Sequence, residues 1–442
     1  MVADSKTFWK YVAPAVGGML ICGSYSIVDT IFVGQGLGDI GLAGVALTWP
    51  IEMLVAALAA MVGSGAGVMI SQARGAGDES RARRIFGNML MLELGMTMLC
   101  IIAQVLWIRP VLHLIGANDE LMPTAYSYAV VMIFSTPFNF AMNGGMEVIR
   151  NDGHPVIAMI FQCIGLISNI ILDYLFILVF PWGAAGAAAA TAASMAITAL
   201  CCVAYFFTPW TRLCHGLVRS IRIDSVLSRM ICWTGLPIFG NMLSIVAMMT
   251  MHNWQALRYG GNAGLAAYTA VATVESLGSI LMTGLAGGIQ PLVAAVHGRG
   301  DLRAQRWFVR YAYCVALIAG VALVFFCYGT RYRIATWIGL SEEIVQLAAH
   351  GLLLSSPAFL LLGVIRVAAY YYQSTERIGA SSLLIYGDSF FALPLCLFSL
   401  PVWLGMDGIW LSMPVSRVIL LAMLVMVIAG DRRNRAAGVG RC

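Results

Sequence analysis

The stretch Ala13 to Gly34, which reads APAVGGMLICGSYSIVDTIFVG, is apolar over the roughly 20 residues that a bilayer crossing requires. It carries Pro14 near one end and a single acid, Asp29, in its outer half, with no basic residue in the stretch. When 223 is added to the numbering the pattern returns, so that Pro14 meets Pro237 but Asp29 meets His252. A repeated helix that keeps its proline and loses its acid predicts two related halves, with the ionisable chemistry in one of them.

Composition points to a polytopic, all-α membrane protein. Of the 442 residues, 60% are hydrophobic and 11% are charged, whereas roughly a quarter are charged in soluble domains. The 46 glycines are typical of transmembrane helices that pack closely. The first apolar run is too long for a cleavable signal peptide. The 11 cysteines lie scattered in apolar runs without a CxxC motif, so we expect reduced thiols and neither a disulfide framework nor a zinc site.

Twelve apolar runs of spanning length begin near residues 8, 50, 87, 125, 156, 183, 230, 268, 308, 347, 380 and 408. The longest polar interruption predicts a cytoplasmic linker at 209–229 between six-helix lobes at 1–208 and 230–442. With the N-terminus in the cytoplasm, 20 of the 26 lysines and arginines fall on the cytoplasmic side. The exceptions are Arg109, Arg258, Arg331, Arg333, Arg366 and Arg417. We therefore predict an inner-membrane protein with both termini in the cytoplasm, and the basic loops need no nucleic acid to explain them.

The repeat extends beyond the first helix. At the shift of 223, Glu52 meets Glu275, and the loop that begins at Gly75 meets the loop that begins at Gly298. Because each half contains an even number of spans, the halves are predicted to be parallel repeats about an axis normal to the membrane. Such repeats place a substrate site near the midplane, with access that alternates as the lobes rock.

Asp29 is the first candidate for an ion or proton site. An acid at mid-bilayer costs about 2.5–3.5 kcal/mol on insertion scales, so it faces a cavity or a partner, or stays protonated. The alternative is a structural acid that is hydrogen-bonded to a neighbouring helix. Tyr25 lies one turn earlier on the same helical face and either lines the same cleft or packs in the core.

The fifth run supplies Asn169 and Asp173, whose i, i+4 spacing stacks both side chains on one helical face. An amide oxygen with a carboxylate suits a hard cation such as sodium, or a proton in a polar network; an interhelical hydrogen bond is the alternative. The second half has Ala392 and Cys396 at the matching positions, which favours a function peculiar to the first half. Thr191, in an alanine-rich sixth run, is either a further ligand or a backbone-bonded hydroxyl.

Further polar and aromatic residues at membrane depth are candidates for the substrate cavity, for gating or for structural pairs. Glu52 and Glu275 occupy equivalent positions, which fits a shared architectural or gating role as well as substrate contact. Asp388 is expected to pair with Arg417 or Arg366, or else to contact substrate. His252 and Trp254 lie in a methionine-rich stretch that suits a substrate cavity. Glu93 and Glu147 are expected to extend to the cytoplasmic surface.

Together these features resemble the MATE family of multidrug and toxin extruders. The residues that carry the resemblance are VDTIFVG at 28–34, the GAGD loop at 75–78 that precedes basic residues, and RNDGHP at 150–155. In its RNDGHP loop the sequence resembles the bacterial branch of the family that includes the MepA-like and DinF-like exporters. In that family a first-span acid, an asparagine and acid of the fifth span, and a sixth-span threonine form an ion or proton site. The resemblance therefore implies such a site at Asp29, Asn169, Asp173 and Thr191, with sodium or a proton as the coupling ion.

The predicted function is a monomeric antiporter, with no cofactor, that exports amphiphilic organic cations across the lipid membrane. Ion entry would change the charge and the bending of the proline-containing first helix. The nearest alternative is a flippase of lipid-linked precursors, which would need a cationic cavity. A membrane-embedded enzyme is the less favoured alternative, because no HExxH, GxSxG or other catalytic motif occurs. Either a proton or sodium can be the coupling ion, and the physiological substrate stays open.

Overall fold

Helices account for all the regular structure in the part of the chain described by the computed structural model, which covers residues 3–115, 117, 119, 121–211, 213–214, 224–337 and 342–436. Within these ranges each predicted apolar run lies in a helix that begins at the predicted residue or a few residues before it. The helices start earlier because their first turns are polar, as in the segment that opens with Glu79 and precedes the apolar run near residue 87.

We number these helices α1 to α12. Their bounds are α1 Ser5–Ala46, α2 Trp49–Gly75, α3 Glu79–Ile115, α4 Met122–Asn151, α5 Pro155–Val179, α6 Gly183–Phe206, α7 Ser225–Gly261, α8 Ala263–Gly298, α9 Leu302–Trp337, α10 Glu342–Ser355 with Ala358–Ser374, α11 Ile378–Leu404 and α12 Met406–Ala436. Among the described residues, nine helices are long and apolar enough to cross a membrane, and α10 makes a tenth if its bent pair is one span. The chain is a multi-pass membrane protein.

Several helices are interrupted at defined points. Gly261 separates α7 from α8 with φ 59°, a left-handed backbone conformation that glycine adopts without steric cost. The two segments of α10 meet at 48° around Pro357. In α5 the segment Tyr174–Val179 is a π-helical turn that follows Asp173, and in α11 the π-helical turn begins at Asp388. π-helical turns occur mostly as short insertions in α-helices, frequently at functional sites.

The chain divides into two compact units. Unit 1 comprises Met1–Met242 with Gln290–Leu302, and unit 2 comprises Leu243–Ile289 with Arg303–Cys442. The chain therefore passes between the units three times, within α7, within α8 and at the start of α9, rather than only once in a linker. Of the predicted linker, residues 212 and 215–223 lie outside the described residues. The six-plus-six division at 209–229 stays a prediction.

Glycine contacts in unit 1 explain why the ends of α7 and α8 belong to it. A Cβ added at Gly75 of α2 would lie 2.1 Å from the carbonyl oxygen of Ala295, and one added at Gly298 would lie 2.0 Å from that of Gln72. Gly235 of α7 approaches α2 equally closely, since its Cβ would lie 1.8 Å from the Met61 oxygen. These backbones touch directly, and only residues without a side chain permit that.

Each unit has its own apolar core. In unit 1 the largest cluster includes Ile70, Phe86, Ile149 and Phe206, with Ile231 of α7. In unit 2 the central cluster is built around Trp410 and Tyr268, whose rings stack with centroids 6.2 Å apart. Many apolar side chains that these cores leave exposed lie on α3 and α9, as expected of helices that face lipid.

A buried polar network closes one end of unit 1, where α2, α4 and α6 terminate. Asp152 follows α4 and forms an ion pair with Arg74 at the end of α2. The Tyr205 hydroxyl of α6 donates to Asp152 Oδ2 at 2.5 Å and lies 2.8 Å from His154 Nδ1. The carboxylate of Asp152 is therefore satisfied from two helices at once, which ties the RNDGHP loop to the helix bundle.

We expect Tyr205→Phe to lower the free energy of unfolding by about 1–2 kcal/mol, because it removes a buried hydrogen bond to a carboxylate. The measurement is thermal melting of the purified protein in detergent. Tyr174→Phe is the matched control, since the Tyr174 ring is 53% exposed and should tolerate the loss of its hydroxyl. Equal melting temperatures for wild type and Tyr205→Phe would contradict the stabilising role of the network.

Candidate functional site

The candidate site in unit 1 is the set of four polar residues that the sequence predicts on α1, α5 and α6. In unit 1 α1 packs against α5, and α5 packs against α6. Asn169 and Asp173 are fully buried, Thr191 is 5% exposed and Asp29 is partly buried. Asp29 lies close enough to Asp173 for the two carboxylates to interact electrostatically. The structure thus brings together the two acids that the sequence placed on separate helices.

Packing of small residues positions these side chains. A Cβ at Gly36 of α1 would lie 2.1 Å from Ile177 Cγ2 of α5, so the two helices approach closely beyond the acids. On the α6 side, a Cβ at Gly165 would lie 2.6 Å from Thr198 Oγ1. Asp173 ends the α-helical part of α5 and the π-helical turn follows it directly. Close helix packing of this kind leaves little room for a flexible side chain around the site.

The side chains of this cluster lack hydrogen-bond partners among the described residues. The Asn169 amide lies one turn before Asp173 and close enough to influence its carboxylate, but no hydrogen bond within 3.5 Å joins the two side chains. The unpartnered buried atoms are Asp29 Oδ1, Asn169 Oδ1 and Nδ2, Asp173 Oδ1 and Oδ2, and Thr191 Oγ1. Buried polar atoms in folded proteins are normally satisfied, and those that are not call for a functional explanation. A cluster of them with two carboxylates indicates a site for a small polar species.

The donor set is suited to a proton or a hard monovalent cation. The site offers carboxylate, amide and hydroxyl oxygens, which are the ligand types of hard cations. No group of three or more histidine, cysteine, aspartate or glutamate side chains that could hold a metal ion occurs in the ranges the structure covers. The described cysteines are all free. In the sequence no basic residue occurs between Lys10 and Arg74, so no arginine or lysine near Asp29 in the chain neutralises it.

Three further predicted residues of unit 1 are Glu52, Tyr25 and Glu147. Glu52 lies at the start of α2 and is partly buried. The side chain of Tyr25 lies outside the described residues. Glu147 pairs with Arg150 at 3.0 Å.

The prediction that Glu93 extends to the cytoplasmic surface is wrong. Its side chain is buried at 7% exposure and its Oε1 has no hydrogen-bond partner among the described residues. The reason is Gly144 of α4, whose missing side chain leaves the space that the carboxyl occupies; a Cβ there would lie 1.7 Å from Glu93 Oε1. In the sequence this space is signalled only by the pair Gly144-Gly145, which is a weak signal as long as the helix pairing is unknown.

In unit 2 the predicted residues have different surroundings. Asp388 forms an ion pair with Arg417 of α12. Glu275 of α8 is partly buried and interacts electrostatically with Arg417. His252 is buried and stacks on Tyr268 with ring centroids 5.1 Å apart, while its Nδ1 lies 2.9 Å from the Met248 oxygen. Trp254 is 53% exposed and packs on Phe398, so its ring does not share the surroundings of His252.

Comparisons with known proteins agree with this architecture. The model of the MatE family matches residues 14–175 and 237–397. A multidrug export protein, MepA of Staphylococcus aureus, is 24% identical over 437 residues, which cover 97% of this chain and 94% of that protein. A protein of Shewanella oneidensis named FAD transporter is 24% identical over 424 residues, with 92% and 90% coverage. A solved structure described as the outward-facing conformation of a multidrug resistance MATE family transporter superposes with a TM-score of 0.90, at 25% identity, covering 98% and 96%.

Proposed function

The chain belongs to the MatE family, and we propose that it is a secondary active exporter that couples the entry of protons or sodium to the efflux of small organic molecules. The observation that carries this proposal is the set of buried polar atoms without partners at Asp29, Asn169, Asp173 and Thr191, within the described part of the chain. The names of its relatives support the exporter class over an enzyme, since the MepA protein is a multidrug export protein.

The coupling step is proposed to take place at the unit 1 site. When a proton or a sodium ion reaches Asp29 and Asp173, it offsets the electrostatic repulsion between two buried carboxylates. When the ion leaves, the uncompensated charge again disfavours the closely packed arrangement of α1, α5 and α6. A ligand shifts a conformational equilibrium only through a difference in its affinity for the two states, and this charge supplies such a difference.

The substrate class proposed is amphiphilic organic cations, because such compounds can compete with the coupling ion for buried carboxylates. Membrane lipid is the proposed surrounding, the inner membrane the proposed location, and a monomer the proposed state, with both termini in the cytoplasm. The distribution of basic residues supports this orientation. A flippase of lipid-linked precursors is the alternative, and it would require anionic head groups to pass the acids of unit 1.

The proposal is tested by efflux of ethidium from proteoliposomes under separately imposed proton and sodium gradients. We expect uphill efflux under one of the two gradients, which names the coupling ion, and loss of that efflux in Asp29→Asn. Asp78→Asn is the matched control, because Asp78 lies in the loop before α3, where its exposed side chain accepts hydrogen bonds from Ser80 and the Arg81 amide. Efflux under neither gradient, or equal uphill efflux by Asp29→Asn, would overturn the proposal.

A further inference from the structure

Unit 2 differs from the candidate site of unit 1 in that it buries positive as well as negative charge. In unit 1 the charged candidate residues are the acids Asp29 and Asp173, and no arginine is among the four residues of the candidate site. In unit 2 two arginines lie within the membrane-spanning helices: Arg366 in α10 is 9% exposed and Arg417 in α12 is 3% exposed. A buried guanidinium stays charged, because arginine is not deprotonated in proteins. Both must therefore find anionic partners.

One aspartate interacts with both arginines. Asp388, 5% exposed, forms an ion pair with Nη1 of Arg417 and interacts electrostatically with Arg366 as well. It begins the π-helical turn of α11, and its Oδ1 has no hydrogen-bond partner among the described residues. Glu275 is the other acid that interacts with Arg417. Two guanidinium groups, which are permanently positive, thus interact with two carboxyl groups. The Glu275 side chain is only partly buried.

Arg417 has more N–H donors than the described residues have hydrogen-bond acceptors near it. Its Nε has no hydrogen-bond partner in the described part of the chain, and its Nη2 contacts only the sulfur of Met413, at 3.8 Å. A guanidinium presents five N–H donors in a fixed fork. Leaving such donors buried without acceptors costs free energy, so the arrangement is suited to an oxyanion that arrives from outside the chain.

The geometry of the guanidinium N–H groups indicates which kind of acceptor would bind them. Two parallel N–H groups match the two oxygens of a carboxylate or a phosphate, which an ammonium cannot do. We propose that Arg417, together with Arg366, binds the carboxylate or phosphate group of an exported substrate, so that unit 2 favours organic cations that also carry such a group, namely zwitterionic compounds, over simple cations. This inference rests on the proposed function as an exporter and names a substrate class for it.

Asp388 has a defined part in this site. It shares Arg417 with the incoming oxyanion and holds the guanidinium in place when no substrate is bound. Its carboxylate competes with the substrate for the same donors. Removing the charge of Asp388 should therefore strengthen oxyanion binding, whereas a purely structural ion pair gives no reason for any change in ligand affinity.

The test measures binding to the purified protein in detergent, using two matched pairs of compounds. Norfloxacin is compared with its methyl ester, which lacks the carboxylate, and 4-methylumbelliferyl phosphate with 4-methylumbelliferone, which lacks the phosphate. In at least one pair we expect wild type to bind the compound that carries the oxyanion about tenfold more tightly than its counterpart that lacks it, as a charge-assisted bidentate bond provides. Tighter binding of the oxyanion in the first pair alone identifies a carboxylate site. Tighter binding of the oxyanion in the second pair alone identifies a phosphate site.

Variants separate the binding role from a structural one. Arg417→Gln leaves Asp388 buried without its partner and can fail to fold, so the decisive variant is the charge-neutral double substitution Arg417→Gln/Asp388→Asn. It should lose the preference, while Asp388→Asn alone should increase it severalfold. Arg331→Gln is the control, because Arg331 is an arginine of unit 2 that lies over the exposed rings of Tyr328 and Tyr332.

Two results would overturn the inference: no oxyanion preference in either pair for wild type, or an unchanged preference in the double variant. Because these are binding measurements, they stand apart from the efflux test of the proposed function. Gradient-driven ethidium efflux without any oxyanion preference would refute the inference and leave the exporter intact. Oxyanion preference without efflux under either gradient would do the reverse.

Discussion

Asp173→Asn should reduce gradient-driven efflux by about tenfold or more, because the amide cannot gain or lose the charge that couples ion entry to export. At the same time we expect its thermal stability to equal or exceed that of wild type. Asp173 is fully buried and neither of its carboxylate oxygens has a partner among the described residues. Replacing an unsatisfied buried acid by a neutral group of the same shape removes a desolvation cost. Groups that are kept for function at the expense of stability show this combination.

The measurement pairs thermal melting with ethidium efflux in proteoliposomes for the same preparations. Asp407→Asn is the matched control, because Asp407 is an exposed acid that lies 3.0 Å from His350 Nε2 in unit 2. It should leave efflux close to that of wild type. A marked fall in the melting temperature of Asp173→Asn would mean that the carboxylate stabilises the helix bundle. Retained efflux would show that coupling takes place elsewhere.

The second large effect is expected at the glycines that join α2 to α8. In the double variant Gly75→Ala/Gly298→Ala, each added Cβ would lie within 2.1 Å of a backbone oxygen, at Ala295 and Gln72. A backbone cannot move aside as a flexible side chain can, so the helix ends must separate. Overpacking of this type costs about 1–3 kcal/mol at each site, which corresponds to a shift of about 5- to 150-fold in an equilibrium. We expect export to fall by at least about tenfold.

Gly95→Ala provides the control for a glycine substitution as such. An added Cβ at Gly95 in α3 meets nothing within 4 Å, so this variant should retain full export and equal or higher stability. Export by the double variant at the level of Gly95→Ala would show that the α2 and α8 ends need not touch during transport. Combining efflux with thermal melting shows whether a loss comes from unfolding or from a blocked cycle.

Hydropathy was sufficient to find the helices, because the bilayer length imposes the same apolar run on each of them. The i, i+4 spacing was sufficient to predict that Asn169 and Asp173 lie on one face of the same helix, one turn apart. The approach of Asp29 to these residues depends on how α1 packs against α5, which no local pattern contains. The resemblance to the MATE family supplied that expectation.

Two features could not be obtained from local reasoning. The burial of Glu93 follows from the space left by Gly144 on another helix, and a prediction based on distance from the end of an apolar run misses it. The network of Arg74, Asp152 and Tyr205 joins residues of three helices. The RNDGHP loop was noticed as a motif, but its partners became visible only when the ends of α2 and α6 were placed beside it.

The π-helical turns of α5 and α11 change how the internal repeat is to be counted. An α-helix advances about 100° per residue, so one extra residue in a turn rotates everything beyond it by that angle. The turn in α11 begins at Asp388, whereas the turn in α5 begins after Asp173, and subtraction of 223 does not superimpose them. Beyond Asp388, the residues that lie on matching helix faces are therefore shifted by one position. Leu393 and Leu397 then correspond to Asn169 and Asp173 as well as Ala392 and Cys396 do. All four are apolar, so the asymmetry between the duplicated halves survives either alignment.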